Sequence, residues 1–146
     1  MMTPAYGQSE LVKKLCAEFQ TTDTCAVHVR GGDIIGPGRA FFERALARME
    51  KERPGLRYLV FTNDREAAKE ALEGEHTERK MTYISELGAF SDIDEFFLMA
   101  ACRHQIISNS SYSTWAAYLN PNPEKVVIMP EYKGCEQIRL KEWIVL

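Results

Sequence analysis

The sequence predicts a doubly wound α/β fold, in which helices cover both faces of a parallel sheet within a single domain. Short apolar runs rich in β-branched residues alternate along the 146 residues with longer segments of helical spacing. Most residues of these runs are apolar and they show no strict alternation with polar residues, which is typical of strands that are buried on both faces. Polar clusters follow three of the runs, and ligands of such sheets bind at the carboxyl ends of strands.

The elements follow from these patterns in order along the chain. The expected helices share apolar residues three and four positions apart. They cover residues 9–19, 40–53, 65–72 and 112–119, and residues 96–102 are the apolar part of a further helix. The expected strands are short buried runs at residues 25–29, 58–61, 81–84, 105–108 and 126–129. Pro54 and Gly55 end the second helix. We expect residues 1–24 to form an N-terminal helix and lead-in, and residues 25–146 to form the ligand-binding domain.

Composition excludes several classes of protein. The net charge of −3 and the pI near 5.7 argue against a nucleic-acid binder, which usually presents a basic face. No apolar run approaches the ~18–20 residues of a transmembrane helix, and no signal peptide is recognisable. The four cysteines match no zinc or redox spacing. We therefore expect reduced thiols in a cytoplasmic protein, the alternative being a secreted protein with disulfides.

The first polar cluster follows the first strand and contains His28, Arg30, Gly31, Gly32 and Asp33. Strand alternation places His28 and Arg30 on the same side. Gly31 and Gly32 allow the backbone to approach a ligand closely, and the planar guanidinium of Arg30 suits a phosphate. Two structural alternatives stay open: Arg30 pairs with Asp33 to stabilise the turn, and His28 is a hydrogen-bonded core residue.

The second cluster, Thr62, Asn63 and Asp64, ends a strand and opens a helix. One interpretation makes Asp64 a helix N-cap, and the other makes it an acceptor for the amino groups of a purine such as guanine. Local sequence favours the N-cap.

The third cluster runs from Asn109 through Ser110 and Ser111 to the start of a helix. Helix N-termini attract anions through unpaired N–H groups and the helix dipole, and serine hydroxyls add donors. Capping requires only one such residue, so the excess of small polar residues favours ligand contact. Trp115 and Tyr118, farther along the same segment, are expected in the core.

Asp92, Asp94 and Glu95 precede an apolar helix. The spacing of Asp92 and Asp94 resembles the metal-binding aspartate pair of many sugar-nucleotide transferases. A capping box formed by Asp92 and Glu95 is the alternative, and it is the one we favour. We therefore expect no metal.

Taken in order, these stretches resemble the α-1,2-fucosyltransferase family of bacteria and animals. That family shows a His-x-Arg-Arg-Gly-Asp motif, a Phe-Ser-Asp-Asp strand end, a Leu-Met-Ser-x-Cys-Lys-His helix, an Asn-Ser-Ser-Phe-Ser-Trp-Trp segment and a late Val-Ile-x-Pro strand. The matching stretches here are residues 28–33, 61–64, 98–104, 109–115 and 127–130. The longest match, residues 95–120, is the most specific.

The resemblance implies a metal-free, cofactor-free enzyme that transfers fucose from GDP-fucose to a galactoside hydroxyl with inversion. The family has a two-domain Rossmann-like architecture, and residues 25–146 resemble only its donor-binding half. The arginine that holds the donor phosphate and assists the leaving group falls on Arg30. The serines at the phosphates fall on Ser110 and Ser111.

Three further family positions carry over. The histidine and the aspartate near the guanine ring fall on His28 and Asp64, and a helix-borne carboxylate falls on Glu95.

The chain also departs from the motifs. Gly31 replaces the second motif arginine, which removes a cation from the expected donor site. Asn63 replaces the first aspartate of the strand-end pair, and Thr114 replaces the first tryptophan. Only about two dozen residues precede His28, so we expect the acceptor-side domain to be missing.

The expected partners are GDP-fucose or GDP and a carbohydrate acceptor, without nucleic acid and without a transmembrane segment; a homo-oligomer is an open option. Two alternatives to an active donor half remain: a non-catalytic nucleotide-sugar-binding module, and an interaction domain on a decayed transferase fold.

Overall fold

The computed structural model describes residues 9–31, 37–72 and 80–146. Its helices are α1 (Glu10–Thr21), α2 (Arg39–Glu52), α3 (Arg65–Leu72), α4 (Asp92–Ala101) and α5 (Ser111–Leu119). Its strands are β1 (Thr24–Val29), β2 (Arg57–Thr62), β3 (Lys80–Tyr83), β4 (His104–Ile106), β5 (Val127–Met129) and β6 (Ile144–Val145). Short 3₁₀ turns at Ile84–Glu86 and Cys135–Gln137 complete the regular structure of these residues.

The strands form one parallel sheet in the order β3-β2-β1-β4-β5-β6. This order runs outward from β1 in one direction and then outward from β4 in the other, as in the Rossmann arrangement. The crossover direction therefore switches between β1 and β4, where Val27 lies opposite Ile106. The predicted fold class is confirmed, and the switch point marks the edge where a ligand is expected.

Alternate residues of β1 face different layers of the molecule. Cys25, Val27 and Val29 pack on the side of α2 and α3. Ala26 packs on the other side, with the apolar residues of α1 and α4. Every residue of β1 is buried, so helices cover both faces of the sheet and the expected double winding is present.

Helix α1 belongs to the same core as the sheet. Val12, Leu15 and Phe19 form its buried stripe and pack with Leu59 of β2. Ser9 caps the helix by accepting a hydrogen bond from the Val12 N–H at 3.2 Å. The predicted first helix thus contributes directly to the layer that carries α4.

The N-terminus of α4 differs from the predicted capping box. Ser91, rather than Asp92, is the N-cap, and its hydroxyl accepts from the Asp94 N–H at 3.1 Å. Asp94 Oδ2 accepts from the Ser91 N–H at 3.2 Å, so Asp94 takes the role that we predicted for Glu95. The shift by one residue releases both Asp92 and Glu95 from capping.

The structure also differs from the sequence prediction at β6 and at Trp115. The strand β6 was not predicted, because two residues are too short to show a period; the Leu146 N–H extends its pairing to the Met129 carbonyl at 3.0 Å. Trp115 was expected in the core but is 59% exposed. The next two residues of α5, Ala116 and Ala117, are fully buried, so they and not Trp115 form the packed face of the helix.

None of the helices in the described part of the chain has the length and apolarity needed to cross a membrane. All four cysteines lie in that part and none is paired; Cys25, Cys102 and Cys135 are buried, and Cys16 is half-buried.

Candidate functional site

A cavity of about 330 Å³ opens at the carboxyl edge of the sheet, beside the switch point. We call it the strand-end pocket. It collects residues from the ends of β1 and β2 and from the starts of α4 and α5, which are His28, Arg30, Phe61, Thr62, Asn63, Asp92, Glu95, Ser110 and Tyr112. Four of the predicted site residues therefore converge although they are far apart in sequence: His28, Arg30, Glu95 and Ser110.

Arg30 supplies the cation of the strand-end pocket. It is half-buried and shares the pocket with His28, as strand alternation predicted. No hydrogen bond or ion pair joins its guanidinium to another residue in the described ranges. Asp33, the partner of Arg30 in one interpretation of the sequence, lies outside the described residues, as does Gly32. A guanidinium without a protein carboxylate offers its paired N–H groups to an anionic ligand.

His28 is held as a neutral ring at the floor of the pocket. It is 8% exposed, and its Nδ1 lies 2.7 Å from the hydroxyl oxygen of Ser108, which is fully buried. Burial, and secondarily the charge of Arg30, lower the pKa of His28 to about 4. The interpretation as a hydrogen-bonded core histidine is therefore correct, but the ring also lines the pocket as a neutral donor and acceptor.

Tyr112 connects the two helix starts to the pocket floor. Its ring lies 5.8 Å from the His28 ring and 5.5 Å from Phe96 of α4, measured between centroids. Its hydroxyl donates to the backbone carbonyl of Asp92 at 2.6 Å. These contacts fix α4 and α5 relative to β1, so the carboxylates of α4 keep a set position in the pocket.

Asp92 and Glu95 form an acidic wall of the pocket, on the first turn of α4. Glu95 is half-buried, and this burial raises its pKa, with further contributions from Asp92 and Asp94. Neither carboxylate is in ion-pair contact with Arg30 among the described residues. The pocket is therefore lined by one cation and by two carboxylates that are not paired with it. We call the part lined by Arg30 its cationic end and the part lined by Asp92 and Glu95 its acidic end. The described ranges contain no group of three His, Cys, Asp or Glu side chains with the geometry to hold a metal.

Asp64 lies next to the pocket but is not among its lining residues. Its Oδ1 accepts from the Ala67 N–H at 3.2 Å, so it caps α3, the alternative that local sequence favoured. It also packs under Gly31, where an added Cβ would overlap the Cβ of Asp64. Gly31 is thus needed for close packing of the β1 and β2 ends, which sequence alone did not indicate.

Asn63 joins the ends of β1 and β2. Its Oδ1 accepts from the Gly31 N–H at 2.9 Å, and its Nδ2 donates back to the Gly31 carbonyl at 3.4 Å. These residues are two of the positions where the chain departs from the family motifs, and they contact each other. One departure replaces an arginine of the motif and the other replaces an aspartate, so one positive and one negative side chain are absent together.

The residues of the third cluster, at the start of α5, line three different surfaces. Ser110 is the N-cap residue and is 4% exposed, but its side chain makes no capping hydrogen bond and lines the strand-end pocket. Asn109 lines a neighbouring cavity of about 310 Å³ together with Arg44 of α2. Ser111 lines a groove on another face of α5. Of the predicted phosphate contacts at this helix, only Ser110 reaches the pocket.

Several pocket residues were absent from the predicted site. Thr62 and Asn63 belong to the second cluster, in which only Asp64 was predicted to contact a ligand. Asp92 was predicted to cap α4, and Tyr112 was not predicted to line a site. Their common signal is that each lies within two residues of a strand end or helix start at the carboxyl edge.

Residues 10–146 match the profile of glycosyl transferase family 11. The chain belongs to glycosyl transferase family 11. The O-antigen biosynthesis glycosyltransferase WbnK of Escherichia coli is 28% identical to it over 150 aligned residues, which cover 89% of this chain and 48% of that protein. The family 11 chain thus spans about half the length of this curated relative. No solved structure shows significant similarity to it. The family match includes α1 and all the residues of the strand-end pocket.

Proposed function

We propose that the chain is the donor-binding domain of an α-1,2-fucosyltransferase, which transfers fucose from GDP-fucose to a galactoside hydroxyl with inversion. The observation that carries the proposal is Arg30, which lines the strand-end pocket without a carboxylate partner in the described residues. The pocket lies at the switch point of the sheet, where nucleotide ligands of this fold class bind. Membership of glycosyl transferase family 11 supports a sugar donor as the ligand.

The cationic end of the pocket takes the diphosphate in this proposal. Arg30 donates to the phosphate oxygens, and Ser110 with the N–H groups at the start of α5 adds neutral donors. These groups are in place before the reaction, so they stabilise the charge that develops on the departing GDP. His28 stays neutral because of its low pKa, which leaves Arg30 as the cation that faces the phosphates.

The acidic end takes the base. Guanine presents an N1–H and an exocyclic amino group side by side, and a carboxylate accepts both. Glu95 is half-buried in the pocket, whereas Asp64 is used to cap α3. We therefore assign guanine recognition to Glu95, with the rings of Tyr112 and His28 beside it. Adenine lacks the N1–H, so a half-buried carboxylate at this position discriminates against it.

In the reaction, the acceptor hydroxyl gives its proton to a general base while its oxygen forms a bond to the anomeric carbon from the face opposite the diphosphate. The bond between that carbon and the β-phosphate oxygen breaks, and GDP leaves with the electron pair. The anomeric configuration is inverted, and the transition state has oxocarbenium character, as in other sugar displacements. We propose that the reaction requires neither a metal nor an organic cofactor. We also propose a cytoplasmic location for the protein.

Calorimetric titration with GDP and GDP-fucose tests the phosphate assignment. A hydrogen bond to a charged group contributes about 1.5–3 kcal/mol, so Arg30→Ala is expected to weaken GDP binding roughly 10- to 100-fold. Arg48→Ala is the matched control, because Arg48 pairs with Glu52 on the surface of α2. Unchanged GDP affinity in Arg30→Ala would refute the assignment. Absence of heat with either ligand in the wild type would refute nucleotide binding altogether and leave an interaction domain.

Comparison of GDP with ADP tests the base assignment. The wild type is expected to prefer GDP, and Glu95→Gln, which loses one of two acceptors, is expected to reduce that preference about tenfold or more. A preference that survives Glu95→Gln would contradict the role of Glu95. Transfer of fucose onto lactose, or hydrolysis of GDP-fucose, then distinguishes an enzyme from a module that only binds the nucleotide sugar.

A further inference from the structure

A second concave surface flanks α5 on a different face from the strand-end pocket. We call it the aromatic groove; its volume is about 570 Å³. Ser111, Trp115 and Tyr118 follow one another at intervals of four and three residues, so they share one stripe of the helix. The groove is lined by this stripe and by residues of the C-terminal segment, which include Tyr132, Gln137 and Ile138.

Trp115 is the exposed centre of the groove. It is 59% exposed, and Tyr118 contacts it in an edge-on arrangement at 5.4 Å between ring centroids. Tyr118 in turn packs on Trp143 at 4.9 Å, and Trp143 is 3% exposed. The exposed indole is therefore supported by a buried aromatic layer. An indole held in water at a fixed position contributes little to folding, but it is preorganised to bind a ligand.

The composition of the groove indicates the chemistry of its ligand. None of its described lining residues carries a charge, whereas the strand-end pocket contains Arg30, Asp92 and Glu95. A phosphate or a nucleotide would find no ion partner in the groove. A sugar ring fits it, because the C–H groups on one ring face lie against the negative face of an indole. The amide of Gln137 and the hydroxyl of Ser111 can bond to the sugar hydroxyls.

The groove is also placed next to the donor site. Ser110 and Tyr112 line the strand-end pocket, while Ser111 between them lines the groove. Both surfaces therefore share the first turn of α5. A helix with its side chains is about 10–12 Å across, so a sugar on Trp115 lies about one helix width from the phosphate end of the pocket. That separation suits a sugar unit of the acceptor other than the one that reacts.

We propose that the aromatic groove binds a neutral sugar unit of the oligosaccharide acceptor, stacked on Trp115. This inference rests on the proposed function, because it interprets the groove as the acceptor side of the same reaction. Other occupants of an apolar groove, above all a second copy of the chain, are outcomes of the test below.

The two tryptophans give the test a direct readout. In ¹⁵N-labelled protein each contributes one indole N–H signal, one from exposed Trp115 and one from buried Trp143. Titration with lactose is expected to shift the Trp115 signal saturably at millimolar concentration and to leave the Trp143 signal nearly unchanged. Glycerol, which has hydroxyls but no ring, is expected to shift neither.

Substitutions connect the signal to the groove. Trp115→Ala is expected to weaken lactose binding, measured by calorimetry, about tenfold or more, and Trp115→Tyr to restore most of it because an aromatic face remains. Leu11→Ala is the matched control, since Leu11 is an exposed apolar residue of α1 at 43% exposure outside the groove. It is expected to bind lactose as the wild type does.

Three results would overturn the inference: equal shifts with lactose and glycerol, unchanged lactose affinity in Trp115→Ala, or a Trp115 signal that follows protein concentration instead of lactose. The last result would identify the groove as a contact between copies. GDP titrated into the same samples separates the two proposals. Binding of GDP without lactose overturns only the acceptor groove, whereas binding of lactose without GDP overturns the nucleotide site and leaves the groove as a sugar-binding surface with no acceptor role.

Discussion

The buried histidines make the fold sensitive to acid, and the size of the effect can be worked out for His28. Its pKa is lowered from 6.5 to about 4 by burial first and by Arg30 second. As the pH falls, the unfolded chain takes up this proton before the folded chain does. The stabilisation is therefore complete above about pH 6.5 and is lost as the pH falls towards 4.

These two pKa values give the magnitude. Proton linkage between pH 7 and pH 5 predicts a loss of about 2 kcal/mol of unfolding free energy from His28 alone. A domain of ordinary stability has about 5–15 kcal/mol, so the change is large enough to measure by urea unfolding monitored by circular dichroism.

The assay compares how much the unfolding free energy of each protein changes with pH, and not the unfolding free energies themselves. His28→Asn keeps a polar side chain beside Ser108 but cannot titrate, so the variant is expected to lose about 2 kcal/mol less than the wild type between pH 7 and pH 5. All other titratable groups are common to both proteins, so their contributions cancel. The same pH dependence in variant and wild type would refute the argument that His28 is neutral and buried at the pocket floor.

His104 provides an independent second case. Its pKa is also lowered to about 4, by burial first and then by Arg53 and Arg103, and its Nδ1 accepts from the Val126 N–H at 2.9 Å. His104→Asn is expected to reduce the loss of unfolding free energy between pH 7 and pH 5 by a similar amount. The two substitutions should be additive, because His104 begins β4 and His28 lies near the end of β1.

Three further outcomes follow from local geometry. Gly31→Ala is expected to destabilise the fold by about 1–3 kcal/mol in urea unfolding, because its Cβ would displace Asp64; a neutral result would contradict the close packing. Ser91→Ala is expected to lower the unfolding free energy by about 1 kcal/mol, because it removes the hydrogen bond from the Asp94 N–H to the Ser91 hydroxyl. An unchanged midpoint of urea unfolding would favour Asp92 as the N-cap instead. Burial, then Asp94, raises the pKa of Cys16 to about 11, so its thiol is expected to react slowly with a disulfide reagent at pH 7 until urea is added; a rapid native reaction would disprove its burial.

The helices and strands were largely predictable because their signals are local. The apolar stripe of α1 and the buried run of β1 repeat at their own periods, and the structure places both within one or two residues of the prediction. The alternation that placed His28 and Arg30 on one side of β1 is equally local, and both residues line the strand-end pocket as predicted. The predicted N-cap of α4, Asp92, was wrong by one residue because Ser91 and Asp92 are both good N-cap types.

The site was only partly predictable because its residues come together over long distances in the chain. Glu95 and Asp64 are both carboxylates at a helix start, and nothing in their immediate sequence shows which one faces the pocket. The registers of β1 with β2 and β4 decide that, together with the contact between Tyr112 and the Asp92 carbonyl. Those are tertiary interactions, so they leave no periodic signal in the sequence.

By itself, the sequence determined the α/β class, the order of the elements and the set of polar clusters at the strand ends, since propensity and periodicity depend on near neighbours. Only the tertiary structure decided which cluster members share a cavity. It directs Arg30, Glu95 and Ser110 into the strand-end pocket, assigns Asp64 to a helix cap and turns Trp115 out to solvent. The physical reason is that packing orients a side chain relative to residues far away in the chain, whereas the local pattern records only whether it is apolar or polar.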